Sequence, residues 1–224
     1  MIRLGDIKRM LNPKTIALIG ATERESSVGR VITENSLLSK SRNIFPVNHN
    51  RKTVFGIECY SSIANVPEQI DLAIIATPAQ TVPEIVEECG KAGVEGITII
   101  SAGFREVGEE GRKLEEQIKE IRKKYGMRII GPNCLGVIRP NIGLNASFLK
   151  ANPEKGKIAF ISQSGALGSA ILEWAINAHI GFSMFASLGS MIDVDFGDLI
   201  DFLGDDPDTR SIMLYMESVG NAKK

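Results

Sequence analysis

Four stretches of small and polar residues each follow an apolar run: Gly20-Ala21-Thr22, Ala76-Thr77-Pro78-Ala79, Ser101-Ala102-Gly103-Phe104 and Gly131-Pro132-Asn133-Cys134-Leu135-Gly136. Loops of this composition leave backbone N–H groups open. Where a helix starts next, those groups and the helix dipole point at a bound anion, commonly a phosphate. A fifth stretch, Ser162-Gln163-Ser164-Gly165, adds two hydroxyls ahead of a helical pattern. It reads as a site for a phosphate or phosphoryl group, although a plain N-cap would use only one of its serines. Arg51 and Lys52 follow the run that ends Val47-Asn48.

A nicotinamide dinucleotide fits the first loop poorly. The fingerprint G-x-G-x-x-G, started at Gly20, needs glycines where Thr22 and Glu25 stand. It also needs a carboxylate at the end of the second strand, to bind the ribose hydroxyls. That strand continues instead as Asn48-His49-Asn50-Arg51-Lys52. Two cations there suit a ligand with an extra phosphate, and coenzyme A, with its 3′-phosphate, fits.

The elements that must position these loops alternate along the chain. Apolar runs at Thr15–Gly20, Asn43–Asn48, Asp71–Ala76, Gly96–Ser101 and Met127–Gly131 are uniform enough to be strands buried on both faces, as in a parallel sheet. Between them lie helical patterns. Leu114, Ile118, Ile121 and Tyr125 form one apolar stripe on an otherwise charged helix. Such alternation predicts a doubly wound α/β fold, whose ligands lie at the C-terminal strand ends. The turn-rich residues Pro140–Gly143 and Asn152–Gly156 break the pattern, and a boundary is expected near residue 145. A second α/β unit comes next: strand 157–162, helix 165–178, strand 182–187, a helix within 193–203 and strand 211–217. The helix 165–178 is expected to bury Leu167, Ala170, Ile171, Trp174, Ala175 and Ala178. With three strands the second unit reads as incomplete.

Bulk properties narrow the function further. With 26 basic and 27 acidic residues, net charge is -1, so nothing suggests a nucleic-acid partner. No apolar run approaches a membrane span, and the start is too polar for a signal peptide, so a cytoplasmic protein is expected. Cys59, Cys89 and Cys134 are odd in number and lack metal-ligand spacing. No metal site is expected.

Taken in order, Leu11-Asn12-Pro13-Lys14, Ala17–Thr22, Phe45-Pro46-Val47-Asn48, Ala76–Ala79, Ser101–Glu106, Gly131–Gly136, Asn145-Ala146-Ser147-Phe148, Ser162–Gly168, Ser187-Leu188-Gly189 and Leu214–Glu217 resemble a known family. The series is similar to the α-subunit of ADP-forming acetyl-CoA synthetases, within the NDP-forming acyl-CoA synthetases, and more distantly to succinyl-CoA ligase. It covers essentially the whole chain.

The resemblance implies a Rossmann-like CoA-binding domain over residues 1–144 and an incomplete flavodoxin-like, succinyl-CoA ligase-like α/β domain over 145–224. It implies an acid–thiol ligase that interconverts acyl-CoA, ADP and phosphate with the free acid, CoA and ATP through a phosphohistidine. Gly20, Ala21, Thr22, Val47, Asn48, Ala76, Thr77, Pro78, Ser101, Ala102 and Gly103 would bind CoA, joined by Arg51 and Lys52 from the charge argument. Asn133 and Cys134 would lie near the CoA thiol. Ser162, Gln163, Ser164 and Gly165 would hold the phosphoryl group. Glu217 would hydrogen-bond the catalytic histidine, work suited to a carboxylate that orients an imidazole.

His49 stands where the family has proline, and Ser190 where it has asparagine. The phosphorylated histidine itself is absent, since His49 and His179 both precede Glu217. The histidine segment, the site for Mg-ADP or Mg-ATP and an ATP-grasp domain or subunit are therefore expected elsewhere, in an oligomer. A non-catalytic CoA-binding regulatory module, or the CoA-binding part of an acetyltransferase fusion, is the alternative.

Overall fold

A computed structural model describes residues 7–219; the outermost ends of the two expected domains, 1–6 and 220–224, lie outside the described residues. In chain order the elements are α1 (Ile7–Leu11), β1 (Thr15–Ile19), α2 (Val28–Leu37), β2 (Asn43–Val47), β3 (Thr53–Val54), β4 (Ile57–Glu58), β5 (Leu72–Ile75), α3 (Val82–Lys91), β6 (Gly96–Ile99), α4 (Glu109–Tyr125) and β7 (Arg128–Ile130). Next come β8 (Gly136–Arg139), β9 (Leu144–Ser147), β10 (Lys155–Ser162), α5 (Gly165–Asn177), β11 (Phe182–Ser187), α6 (Phe196–Gly204) and β12 (Ser211–Tyr215).

The first sheet has the order β2-β1-β5-β6-β7, and every pairing in it is parallel. All residues of β5 and β6 are buried, as expected for strands covered on both faces. Ile118 of α4 is fully buried, and Leu114, Ile121 and Tyr125 pack against the same core. The strand order reverses between β1 and β5, so the loops after these strands diverge and leave a crevice.

The second sheet has the order β12-β10-β11-β8-β9, with β10, β11 and β12 parallel and β8 and β9 antiparallel additions. The turn-rich segment around residue 140 is thus a hairpin, each of its strands only four residues long. The boundary expected near residue 145 falls inside β9, while the chain already changes sheets between Ile130 and Gly136.

The two sheets share a core that includes Ile16, Leu18, Leu72 and Ile74 from one and Ala159, Ile161, Met184 and Ala186 from the other. The Asp193 carboxylate joins them at the edge, accepting from the Ile129 N–H (2.8 Å) and the Arg128 Nε (3.0 Å) and pairing with Arg122 (2.6 Å). These groups are mostly buried, so each charge is offset by a partner rather than by water.

One expected core stripe is rotated. In α5 the buried residues are Gly168, Leu172 and Ala175, whereas Trp174 is 62% exposed and Ala170 and Ala178 are also exposed. Phe160 and Phe185 project toward this helix, and a Cβ on Gly168 would stand 3.1 Å from the Phe185 ring. The bulky rings select the face with the smallest residue, and the tryptophan turns outward.

Candidate functional site

The first loop is shaped by close backbone packing. A Cβ on Gly20 would stand 2.6 Å from the Ala76 carbonyl oxygen, and one on Gly29, in the first turn of α2, 2.2 Å from the Gly20 carbonyl oxygen. Only glycines let β1, β5 and α2 approach this closely. The Asn48 side chain ties the next loop in, its Nδ2 donating to the Ala21 carbonyl at 2.9 Å and its Oδ1 accepting from the Asn50 N–H at 2.9 Å. The Asn133 N–H donates to the Ser101 carbonyl at 2.9 Å, joining the third and fourth loops. Asn133 has φ +56, a left-handed backbone that asparagine tolerates.

At the head of α5, the Ser164 Oγ accepts the Leu167 N–H at 3.4 Å, a plain N-cap. The Ser162 Oγ donates to the Ser164 carbonyl at 2.7 Å and so braces the cap. The Gln163 side chain is held by the chain itself: its Oε1 accepts the N–H groups of Glu217 and Ser218, each at 3.0 Å, and its Nε2 donates to the Ser218 Oγ at 2.9 Å.

These loops converge on one cleft of about 720 Å³ between the two sheets. Of the expected residues, Ala76, Thr77, Ser101, Ala102, Asn133, Cys134, Gln163, Ser164, Gly165 and Glu217 line it. Gly20, Ala21, Thr22, Val47, Asn48, Pro78, Gly103 and Ser162 do not. Ala21, Val47 and Ser162 are buried, and they act through the backbone or as braces. Arg51 and Lys52 stand exposed between β2 and β3, outside the lining.

The lining also includes residues that sequence reasoning did not place there, among them Val28, Arg105, Glu106, Phe148 and Ser190. Arg105 and Glu106 directly follow the Ser101–Phe104 loop, and this adjacency was the available signal. Phe148 gave none, because it arrives on the β8–β9 hairpin.

Cys134 is 3% exposed, and its Sγ donates to the Ile99 carbonyl at 3.3 Å. Burial pushes its thiol up to about 12, so the sulfur stays protonated and is no nucleophile near neutral pH. Neither histidine lines the cleft. His49 sits beside Asn50 (2.9 Å), and His179, left-handed just past the end of α5, pairs with Glu154 at 2.9 Å.

Residues 14–140 match the family model described as a CoA binding domain. The chain belongs to the CoA-binding domain family. After this CoA-binding domain, residues 155–224 match a succinyl-CoA ligase like flavodoxin domain. The chain is 45% identical over 218 residues to the ADP-forming acetate–CoA ligase I of Archaeoglobus fulgidus, covering 97% of this chain and 32% of that protein. It is 43% identical to the ADP-forming acetate–CoA ligase II subunit alpha of Pyrococcus furiosus, over 95% of this chain and 46% of the relative.

Among solved structures, the dinucleotide forming acetyl-coenzyme A synthetase 1 of Ca. Korarchaeum cryptofilum, in complex with phosphate and ADP, superposes with a TM-score of 0.93 at 37% identity. That match covers 97% of this chain and 47% of the other. The CoA-binding domain and the flavodoxin-like domain together therefore span about a third to a half of the length of these relatives. The likeness to NDP-forming acyl-CoA synthetases extends over nearly the whole chain. Among the described residues, no helix is long and apolar enough to cross a membrane.

Proposed function

We propose that this chain is the CoA-binding portion of an acid–thiol ligase that interconverts acyl-CoA, ADP and phosphate with acid, CoA and ATP. One observation carries the reading. A single cleft joins the strand-end loops of the first sheet, where CoA would lie, to the head of α5 and Glu217, where a phosphoryl group would be handled. Thr77, Ser101 and Ala102 line the CoA part, and the thiol end reaches Asn133, whose side-chain amide makes no hydrogen bond among the described residues. Cys134 supports that loop from below.

The free N–H groups at the head of α5 favour a phosphoryl group by charge and direction. Glu217 faces the same space and would orient an incoming imidazole. Both histidines of the chain lie outside the cleft, so the phosphohistidine and the nucleotide-grasp part are supplied elsewhere in the assembly. An oligomeric, cytoplasmic enzyme belongs to the same proposal.

Calorimetric titration tests it: CoA is expected to bind and NAD to give no measurable heat. NAD binding without CoA binding would overturn the reading.

A further inference from the structure

Anionic ligands need positive charge, and Arg105 is the one cation among the described residues that line the cleft. The other charged lining residues are Glu106 and Glu217. CoA carries three phosphate groups, and the free phosphate of the proposed reaction is a fourth anion. We propose that Arg105 is the cation that takes a phosphate group of the ligand inside the cleft. This rests on the CoA-ligase reading and assigns to Arg105 part of the charge work expected from sequence of Arg51 and Lys52 alone.

The backbone under Arg105 is fixed in place. Phe104 is fully buried, and a Cβ on Gly111 would stand 1.7 Å from the Phe104 carbonyl oxygen, so α4 lies directly against the turn. The Arg105 N–H donates to the Oε1 of Glu115, a residue 4% exposed, at 3.4 Å. The guanidinium therefore extends from a preorganised base, and less ordering entropy is lost when a ligand is gripped.

Glu106 closes off the alternative donors. Its Oε1 accepts the Gly103 N–H at 2.6 Å. Burial works against its charge, but N–H groups of the 103–106 turn outweigh that and hold the carboxyl below the usual range. With those N–H groups engaged by Glu106, the loop has less backbone to offer an anion. Among the described residues the Arg105 guanidinium makes no salt bridge; its charge helps lower the neighbouring Glu106 carboxyl, and the group stays exposed at the cleft, open to a ligand. Its planar fork matches two phosphate oxygens at once.

The test measures CoA, dephospho-CoA, pantetheine and inorganic phosphate on the wild-type chain and on Arg105→Ala and Arg105→Lys. The alanine variant should weaken the phosphate-bearing ligand about fivefold. The loss should shrink at high salt, and lysine should restore part of it. Equal losses for CoA and dephospho-CoA, with pantetheine unchanged, place the diphosphate at Arg105. Loss for CoA alone places the 3′-phosphate there, and loss for inorganic phosphate alone places the free anion. Unchanged affinities in a wild-type chain that binds CoA overturn the Arg105 assignment and leave the ligase reading standing. An equal loss for pantetheine also overturns it, because the effect is then structural. A wild-type chain that binds none of the four overturns the ligase reading as well.

Discussion

The Gln163 side chain holds the Glu217 backbone from 54 positions away, its Oε1 accepting the Glu217 N–H at 3.0 Å. The same oxygen accepts the Ser218 N–H at 3.0 Å, and Gln163 is 7% exposed. One buried amide thus fixes where the chain goes on leaving β12, and so where the Glu217 carboxylate stands in the cleft.

Gln163→Ala would leave two N–H groups without their acceptor, a cost of about 1–3 kcal/mol. The melting temperature should fall, and amide hydrogen exchange at Glu217 and Ser218 should rise, while CoA affinity is retained. Gln163→Glu keeps the acceptor and should restore most of the protection. Unchanged exchange at both residues in the alanine variant would show that the clamp is not needed.

Gly29→Ala places a Cβ where the Gly20 carbonyl oxygen now sits 2.2 Å away, so α2 must lift from β1. Overpacking of this kind should cost about 1–3 kcal/mol, read as a shift in the urea midpoint, and CoA binding should weaken with it. Gly204→Ala meets nothing within 4 Å at the end of α6 and should be neutral or slightly stabilising.

The Cys134 thiol is raised by burial to about 12 from an ordinary value near 9. A raised thiol binds its proton more tightly in the native chain than in the unfolded one. Its contribution to stability is therefore full below about pH 9 and is lost as pH rises toward about 12. Stability of the wild type should fall more steeply over that window than stability of Cys134→Ser. Native protein at pH 8 should resist alkylation at Cys134, and rapid labelling would contradict this.

Arg51→Ala combined with Lys52→Ala should weaken CoA by about fivefold, since exposed charge contacts with phosphate are modest. Dephospho-CoA, which lacks the 3′-phosphate, should bind the double variant and the wild type alike. Equal losses for both ligands would remove these two residues from 3′-phosphate binding.

The strands of the first sheet, the parallel strands of the second, the loops and the family were legible in the residues alone. The strands of the first sheet are built mostly of apolar residues, because the central β5 and β6 are buried throughout, and such runs are visible without partners. The strand 182–187 has the same ends in both readings. The small-residue loops at Thr77, Ser101 and Asn133 were recognisable as strand ends that face a crevice, and the structure brings them to one cleft.

Which residues share that cleft, and what each of them touches, depended on packing between distant parts of the chain. The strand expected over 211–217 stops at Tyr215, because the next N–H groups go to Gln163 instead of a neighbouring strand. Gln163 was expected in an anion loop, and the structure adds partners distant in sequence, Glu217 and Ser218, to its side chain. The β8–β9 hairpin was hidden because four-residue strands carry too little periodicity. Helical spacing offered α5 more than one apolar face, and only Phe160 and Phe185 could choose between them. Arg105 had only its adjacency to the Ser101–Phe104 loop as a signal; packing of Phe104 under α4 puts it in the cleft, while Arg51 and Lys52 stay outside. Local pattern records what a residue's immediate neighbours need, whereas a site is made where distant strand ends meet.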